Sequence, residues 1–201
     1  MNHPIPKPDQ YQDMREALRD LCGSFDSAYW QKIDHERDYP EAFVDAMTKA
    51  GWLAALIPEE YGGPGLDQIS YGLIMQELER CDSGLRSTAS VQSSLVMYPI
   101  WKYGSEEQKL KYLPKLATGE MIGCFGLTEP DFGSNPGGMI TNFKDAGDHV
   151  ILNGAKMWIS NAPFAQIAVV WAKDESGRIH GLIVERGMEG FSTPEMHGKL
   201  S

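Results

Sequence analysis

Residues 122–134 read Ile-Gly-Cys-Phe-Gly-Leu-Thr-Glu-Pro-Asp-Phe-Gly-Ser, and residues 157–161 read Met-Trp-Ile-Ser-Asn. The first stretch starts as an apolar run that is predicted to be a strand, and Pro130 ends it in a turn because proline has no N–H for a strand ladder. The second stretch also has the composition of a strand, on which Trp158 and Ser160 would project to one face because side chains alternate. Together they predict a sheet whose main chain, indole and hydroxyl can contact a flat heterocycle.

Helical periodicity precedes these stretches. Helices are predicted over about 67–81 and 83–102, and Asp82-Ser83-Gly84 separates them because these residues favour helix caps and turns. The segment Ser105-Glu106-Glu107-Gln108 has the spacing of a capping box and predicts the start of another helix, which ends before Gly119. Residues 1–119 are therefore predicted to be an all-α N-terminal domain.

Beyond Gly119 the apolar pattern alternates with a period of two. Asn153-Gly154 and Ser176-Gly177 lie between short apolar runs, which is typical of hairpin turns. Residues 120–201 are therefore predicted to form an antiparallel β-barrel-like domain, incomplete at its end, and the chain is assigned to the α+β class.

Composition excludes several classes of function. The formal net charge is −10 and no basic run occurs, which argues against a nucleic-acid partner. The three cysteines are widely spaced and the five histidines have no metal-ligand spacing, so neither a disulfide framework nor a metal site is predicted. No apolar stretch approaches the roughly 20 residues that span a bilayer. The N-terminus lacks signal-peptide and transit-peptide features, so the expected compartment is the cytoplasm, or an organellar matrix if a transit peptide has been removed.

The two stretches quoted first resemble the flavin-binding segments of the acyl-CoA dehydrogenases, which carry Thr-Glu-Pro…Gly-Ser and Trp-Ile-Thr in this order. Ser160 stands where the family usually has Thr, and this change keeps the hydroxyl. The resemblance implies an FAD site, with Ser134 where flavin and thioester meet. The cofactor-binding residues it implies are Phe125, Gly126, Leu127, Thr128, Ser134, Trp158, Ile159 and Ser160. An ordinary antiparallel sheet with a core Trp and a Gly-Ser turn is the alternative.

A second block, residues 71–100, is similar to the glutaryl-CoA dehydrogenases. Arg86 falls in the first turn of a predicted helix, with Ser87 beside it and Ser90 one turn above, so cation, hydroxyls and free helix N–H groups are predicted to converge on one anion. The resemblance implies that Arg86 holds the distal carboxylate of glutaryl-CoA. The substrate-binding residues it implies are Glu79, Arg86, Ser87, Ser90 and Ser134. The alternative is that Arg86 pairs with a carboxylate on a surface helix.

The resemblance also implies an activity, an FAD-dependent dehydrogenation of a CoA thioester in fatty acid or amino acid catabolism. Glutaryl-CoA would be oxidised and decarboxylated to crotonyl-CoA, with electrons passed to an electron-transfer flavoprotein. Members of the family are expected to be homotetramers, and the general base is a Glu in a C-terminal helical domain, which would lie downstream of Ser201. No catalytic residue is therefore assigned within residues 1–201, which are expected to be inactive alone.

Two alternatives stay open for the function. The first is a dehydrogenase for another short or branched acyl group, with Arg86 in a structural role. The second is a shortened, non-catalytic chain that binds flavin, a CoA ligand or a partner subunit.

Overall fold

The structure is a computed structural model that describes residues 11–196. These residues divide into two compact units, one over 11–120 and one over 121–196. The first is helical and the second contains a β-sheet, so the predicted order of a helical domain followed by a β domain is confirmed.

Helices build the first unit. The α-helices are α1 Gln12–Gly23, α2 Ser27–Glu36, α3 Glu41–Lys49, α4 Gln68–Cys81, α5 Ser83–Ser90, α6 Tyr98–Tyr103 and α7 Glu106–Ala117. A π-helical segment, Val91–Met97, joins α5 to α6, and short 3₁₀ turns occupy Trp52–Ala54 and Glu59–Tyr61. The helix predicted over 83–102 is therefore present, but its middle is wound with the wider π pitch.

Side-chain caps fix the ends of these helices where the sequence predicted them. The Asp67 carboxylate accepts a 2.7 Å hydrogen bond from the Ser70 N–H at the start of α4. Ser105 and Gln108 form the predicted capping box, in which each side chain accepts from the main-chain N–H of the other, at 3.2 and 2.9 Å. Because each cap satisfies N–H groups that lack a partner within the helix, both helix starts are set locally.

The helical unit encloses an apolar core formed by the inward faces of its helices. Its largest fully buried side chains are Leu18, Met47, Ile57, Ile74, Leu78, Met97, Leu113 and Leu116. α1 packs beside α4, where the Arg15 and Arg19 guanidinium groups lie 2.6 and 2.8 Å from the buried carboxylate of Glu77. This packing holds α4 in place, and α4 leads directly into α5.

The second unit contains one mixed sheet. Its strands are β1 Gly123–Gly126, β2 Asn142–Asp145, β3 Val150–Asn153, β4 Ile167–Lys173 and β5 Ile179–Glu185. β4 pairs along its length with β5, and its other edge pairs first with β1 and then, at Lys173, with Asn142 of β2. The buried side chains of β4 place this strand at the centre of the unit.

The prediction of an antiparallel sheet is correct for two pairings and wrong for the others. The β2–β3 and β4–β5 hairpins are antiparallel, whereas β1 and β2 each pair with β4 in parallel. A long connection separates β1 from β4, and such a crossover allows the chain to enter the sheet again in the same direction. Of the two hairpin turns predicted from the sequence, Ser176-Gly177 lies in the β4–β5 hairpin, whereas the prediction for Asn153-Gly154 is wrong. The β2–β3 hairpin turns at residues 146–149, and Asn153-Gly154 leads from β3 into an irregular segment. Local turn residues carry no information about the parallel pairs.

The second quoted stretch is not a strand. Residues 154–166 form an irregular turn in which Trp158 and Asn161 adopt left-handed backbone conformations, with φ of 61° and 67°. The predicted strand over Met157–Ile159 is therefore wrong, as is the inference that Trp158 and Ser160 share a strand face. Asn tolerates this conformation, and its side-chain amide donates to the Gly123 carbonyl at 3.3 Å. A Trp in the left-handed conformation is uncommon, so an apolar Met-Trp-Ile run does not predict such a backbone.

Two further properties concern the described residues as a whole. No helix among residues 11–196 is long and apolar enough to cross a bilayer. The same residues contain no group of three or more His, Cys, Asp or Glu side chains arranged to hold a metal ion.

Candidate functional site

The segment that follows β1 presents unpaired main-chain donors. The Leu127 carbonyl accepts from Lys156 Nζ and the Thr128 carbonyl accepts from the Met157 N–H, both at 2.9 Å. Within residues 11–196, by contrast, no group of the protein accepts a hydrogen bond from the N–H of Leu127 or Thr128. Both residues are only half-buried. These N–H groups can therefore bind the acceptor atoms of a ligand.

Glu129, the next residue, is a buried anion whose two oxygens accept three hydrogen bonds. Its side chain is 1 % exposed and accepts from the main-chain N–H groups of Ile140 and Thr141, at 2.8 and 3.0 Å, and from Lys156 Nζ at 2.9 Å. Burial alone would raise the pKa of Glu129, but these hydrogen bonds outweigh it and lower the pKa to about 2. Glu129 is thus a structural carboxylate and is unsuited to accept a proton near neutral pH.

Lys156 reaches Glu129 across the end of β1. A Cβ atom added to Gly126 would lie 3.4 Å from Lys156 Cγ, so the lysine stem packs directly against the main chain of Gly126. The Lys156 side chain is 10 % exposed, and its ammonium bridges the Leu127 carbonyl and the Glu129 carboxylate. No local sequence pattern predicts this pair, because Lys156 and Glu129 are 27 residues apart.

Gly154 allows its segment to pack closely against Thr141. Gly154 has φ of 149°, and a Cβ added there would lie 2.3 Å from Thr141 Oγ1. Because Thr141 also donates its N–H to Glu129, the segment before Lys156 packs directly on the residue that the Glu129 carboxylate holds. Segments 126–129, 140–141 and 154–157 are thereby joined around one buried ion pair.

The turn that follows Lys156 carries an exposed indole. Trp158 is 60 % exposed, which excludes the alternative of a core Trp at this position. Ile159 is half-buried and Ser160 is exposed. A non-glycine residue in the left-handed region costs on the order of 1–3 kcal/mol and is found where surrounding contacts hold it, often at ligand sites. The Met157–Thr128 and Asn161–Gly123 hydrogen bonds supply such contacts on both sides of Trp158.

The remaining predicted cofactor residues lie in and after β1. Phe125 and Gly126 belong to β1, and the Phe125 ring packs edge-on against Trp171 with 6.0 Å between ring centroids. Ser134 is exposed in the loop between β1 and β2. The structure therefore brings Leu127, Thr128 and the Trp158 turn together through hydrogen bonds, while it shows no hydrogen bond linking Ser134 to them.

A second candidate site lies in the helical unit, where α4 ends and α5 begins. The Asp82 carboxylate accepts from the N–H groups of Gly84 and Leu85, at 2.8 and 3.2 Å, and the Asp82 carbonyl accepts from the Arg86 N–H. The prediction that free N–H groups of this helix would bind an anion is therefore wrong for these three groups. Asp82 caps the helix with its own side chain and competes with any external anion.

Arg86 is left with one free edge. Its Nε donates to the Glu79 carboxylate at 2.8 Å, and the two side chains are 39 % and 50 % exposed. Among the described residues no acceptor meets its two terminal nitrogens. A guanidinium can bind a second carboxylate through that edge, so the pair with Glu79 is compatible with either a structural or a ligand-binding Arg86.

Hydroxyl groups extend this site along α5. Ser87 and Ser90 are half-buried, and Ser90 lies one helical turn beyond Arg86. Ser94 Oγ donates to the Ser90 carbonyl at 2.8 Å and lies 3.5 Å from Ser90 Oγ. Ser94 belongs to the π-helical segment, a feature often found at functional sites. Its place beside Ser90 was missed because a π segment has no clear sequence signal.

Similarity to known proteins covers both units. Residues 8–120 match the acyl-CoA dehydrogenase N-terminal domain, and residues 124–201 match the acyl-CoA dehydrogenase middle domain. The human mitochondrial short-chain specific acyl-CoA dehydrogenase is 36 % identical over 190 residues, which cover 94 % of this chain and 45 % of the human protein.

Two solved structures extend this similarity to the fold. A glutaryl-CoA dehydrogenase from Mycobacterium smegmatis in complex with FADH2 has a TM-score of 0.90 at 42 % identity, over 97 % of this chain and 50 % of that one. A glutaryl-CoA dehydrogenase in complex with glutaryl-CoA has a TM-score of 0.89 at 32 % identity, over 98 % of this chain and 51 % of that one. The chain spans about half the length of these relatives. It belongs to the acyl-CoA dehydrogenase family, of which it carries the N-terminal and middle domains.

Proposed function

We propose that the intact protein is an FAD-dependent acyl-CoA dehydrogenase that oxidises glutaryl-CoA. The observation that carries the flavin part is the exposed, left-handed Trp158 in a turn hydrogen-bonded to a segment with unpaired N–H donors. The substrate part depends on the free guanidinium edge of Arg86. Both parts of the proposal agree with two relatives, a glutaryl-CoA dehydrogenase in complex with FADH2 and another in complex with glutaryl-CoA.

The residues of the β unit suit the polar edge and one face of an isoalloxazine ring. The N–H groups of Leu127 and Thr128 would donate to ring acceptors, and the Thr128 hydroxyl can add a further bond. The Trp158 indole would cover the ring by aromatic contact. Phe125, Gly126, Ile159 and Ser160 would complete this wall, with Ser134 towards the thioester. Bound FAD supplies the oxidant that takes up the two hydrogen atoms removed from the acyl chain.

The helical unit would select the substrate. Arg86 would bind the distal carboxylate through its free edge while Glu79 holds the guanidinium from the other side. Ser87 and Ser90 would donate hydroxyl hydrogen bonds from the same helix. This arrangement gives a dicarboxylic thioester an advantage over an acyl chain that ends in a methyl group.

A second function has two findings in its favour. Arg86 already pairs with Glu79, and a relative 36 % identical is a short-chain specific acyl-CoA dehydrogenase. If Arg86 is structural, the substrate is an unsubstituted short or branched acyl-CoA. The further proposals are the same in either case: a Glu base beyond Ser201, a homotetramer, and transfer of electrons to an electron-transfer flavoprotein. Decarboxylation to crotonyl-CoA is proposed for the glutaryl-CoA reaction.

A substrate panel on the purified intact protein tests this function. Glutaryl-CoA, butyryl-CoA and isovaleryl-CoA are compared by kcat/KM with an artificial electron acceptor, and the product of glutaryl-CoA is identified by mass. We expect the highest kcat/KM for glutaryl-CoA and release of crotonyl-CoA. A preference for butyryl-CoA or isovaleryl-CoA supports the second function, and a protein that binds flavin but oxidises none of the three is the non-catalytic chain.

A further inference from the structure

We propose that the buried Glu129–Lys156 pair positions the flavin-binding main chain, by fixing the Thr128 donor and the turn that carries Trp158. This inference depends on the proposed flavin site. It assigns to the pair an indirect role, because the Glu129 and Lys156 side chains are 1 % and 10 % exposed and their charged groups bind one another and main-chain groups of the protein.

The two residues of the pair lie next to both flavin-binding segments in the chain. Glu129 follows Thr128 directly, and Lys156 precedes Trp158 by two residues. Lys156 Nζ binds the Leu127 carbonyl at 2.9 Å, and the next N–H along the chain, that of Met157, binds the Thr128 carbonyl at the same distance. Both carbonyls of the donor segment are thus held by consecutive residues of the segment that leads to the indole. The Leu127 carbonyl and the Thr128 N–H belong to the same planar peptide group, so holding this carbonyl fixes the direction of the Thr128 donor. The Leu127 N–H shares its peptide group with Gly126, which the pairing of β1 with β4 holds in place.

The pair also holds a third segment, which leads into β2. The two Glu129 oxygens accept from consecutive N–H groups, Ile140 and Thr141, and so bind the chain where it enters β2. Gly154 packs on Thr141 with no room for a side chain, which fixes the approach of the segment to Lys156 from the other side. Glu129 thus contacts two other segments at once, so loss of its charge would weaken three hydrogen bonds and not just one.

The residues buried at this position are an ion pair and not apolar side chains. A carboxylate and an ammonium that are 1 % and 10 % exposed lose most of their hydration, and apolar residues of similar size would fill this space without that loss. Apolar residues cannot bind two N–H groups and a carbonyl in defined directions. The polar pair therefore fits a need for geometry at the flavin site better than a need for stability alone.

The chain provides a matched control for stability. Glu77 in α4 is also 1 % exposed and also binds cations, with Arg15 and Arg19 at 2.6 and 2.8 Å. It lies in the helical unit and has no hydrogen bond to a predicted flavin residue. Glu77→Gln and Glu129→Gln remove the same charge at the same degree of burial, so their difference isolates the positioning role.

The experiment uses the intact protein with FAD as the probe. Wild type, Glu129→Gln, Lys156→Met, Lys156→Arg and Glu77→Gln are compared by FAD dissociation constant, visible spectrum and midpoint potential of the bound flavin, and melting temperature of the apoprotein. We expect Glu129→Gln and Lys156→Met to weaken FAD binding by about 10–100-fold, the range seen when partners that orient metal ligands are removed. Their flavin spectra and potentials should shift, and Lys156→Arg should restore the spectrum in part because it keeps a charged donor.

The expected control result is a lower melting temperature for Glu77→Gln with an unchanged flavin spectrum and potential. The inference is overturned if Glu129→Gln and Lys156→Met bind FAD with wild-type affinity, spectrum and potential. It is also overturned if Glu77→Gln loses FAD to the same extent, because the effect then reflects stability. If Lys156→Met does not fold, Glu129→Gln and Lys156→Arg make the same comparison. A wild-type protein that binds no FAD refutes the proposed function instead.

Discussion

Arg86→Gln is the substitution that separates the two proposed substrates. In the structure the Arg86 side chain is 39 % exposed and pairs with a Glu79 side chain that is 50 % exposed. A pair so exposed contributes only about 0.2–1 kcal/mol to stability, so the fold should tolerate its loss. A substrate carboxylate on the free edge of the guanidinium would instead form charge-assisted hydrogen bonds. Such bonds contribute roughly 1.5–3 kcal/mol, which corresponds to about a 10–150-fold lower kcat/KM for glutaryl-CoA after substitution.

The assay compares kcat/KM for glutaryl-CoA and butyryl-CoA in the intact enzyme, because the ratio of wild type to variant gives the lost transition-state stabilisation for each substrate. Butyryl-CoA lacks the distal carboxylate and should change less than about threefold, within the effect of an exposed pair. Arg80→Gln is the matched control, since Arg80 lies at the end of α4, is 65 % exposed and is 3.7 Å from its nearest carboxylate. It should affect neither substrate. Equal losses on both substrates in Arg86→Gln would refute the carboxylate-binding role.

Three other predictions concern the β unit. Trp158→Ala should weaken FAD binding by about 0.5–1.5 kcal/mol beyond the loss of buried area, as measured by flavin fluorescence titration; unchanged affinity would exclude the indole as a cofactor contact. Gly154→Ala should destabilise the protein by roughly 1–3 kcal/mol or more in urea unfolding, because a left-handed alanine would also meet Thr141. Gly147→Ala, with positive φ but open space around it, should cost less, and equal costs would argue against the close approach. Since the pKa of Glu129 is lowered from 4.5 to about 2, its contribution to stability is present above about pH 4.5 and is lost as the pH falls towards 2. Glu129→Gln should flatten the fall of the urea midpoint in that window, and an unaltered fall would assign acid unfolding to other groups.

Helix boundaries could be predicted because they are set by residues near one another in the chain. Asp67, Asp82 and Ser105 each cap the helix that follows them, within three residues. The position of Arg86 at the start of α5 follows from the Asp82 cap alone. The sequence did not predict that N–H groups at the start of α5 already have partners. The Asp82 carboxylate, which starts the helix, also accepts hydrogen bonds from two of these donors.

The β unit was less predictable because its main features join distant residues. Lys156 and Glu129 are 27 residues apart, and their pairing depends on a sheet in which β1 and β4 run parallel. No local pattern reports such a pairing. The backbone of Trp158 was missed for a different reason: its left-handed conformation is held by neighbouring segments and opposes the preference of the residue itself.

Anaerobic titration of the intact protein with glutaryl-CoA, followed through the visible absorbance of its flavin, tests the central claim most directly. The account predicts that the purified protein carries or takes up FAD and that glutaryl-CoA bleaches the flavin absorbance in a stoichiometric titration. A protein that takes up no FAD, or whose bound flavin keeps its absorbance at saturating glutaryl-CoA, would contradict it.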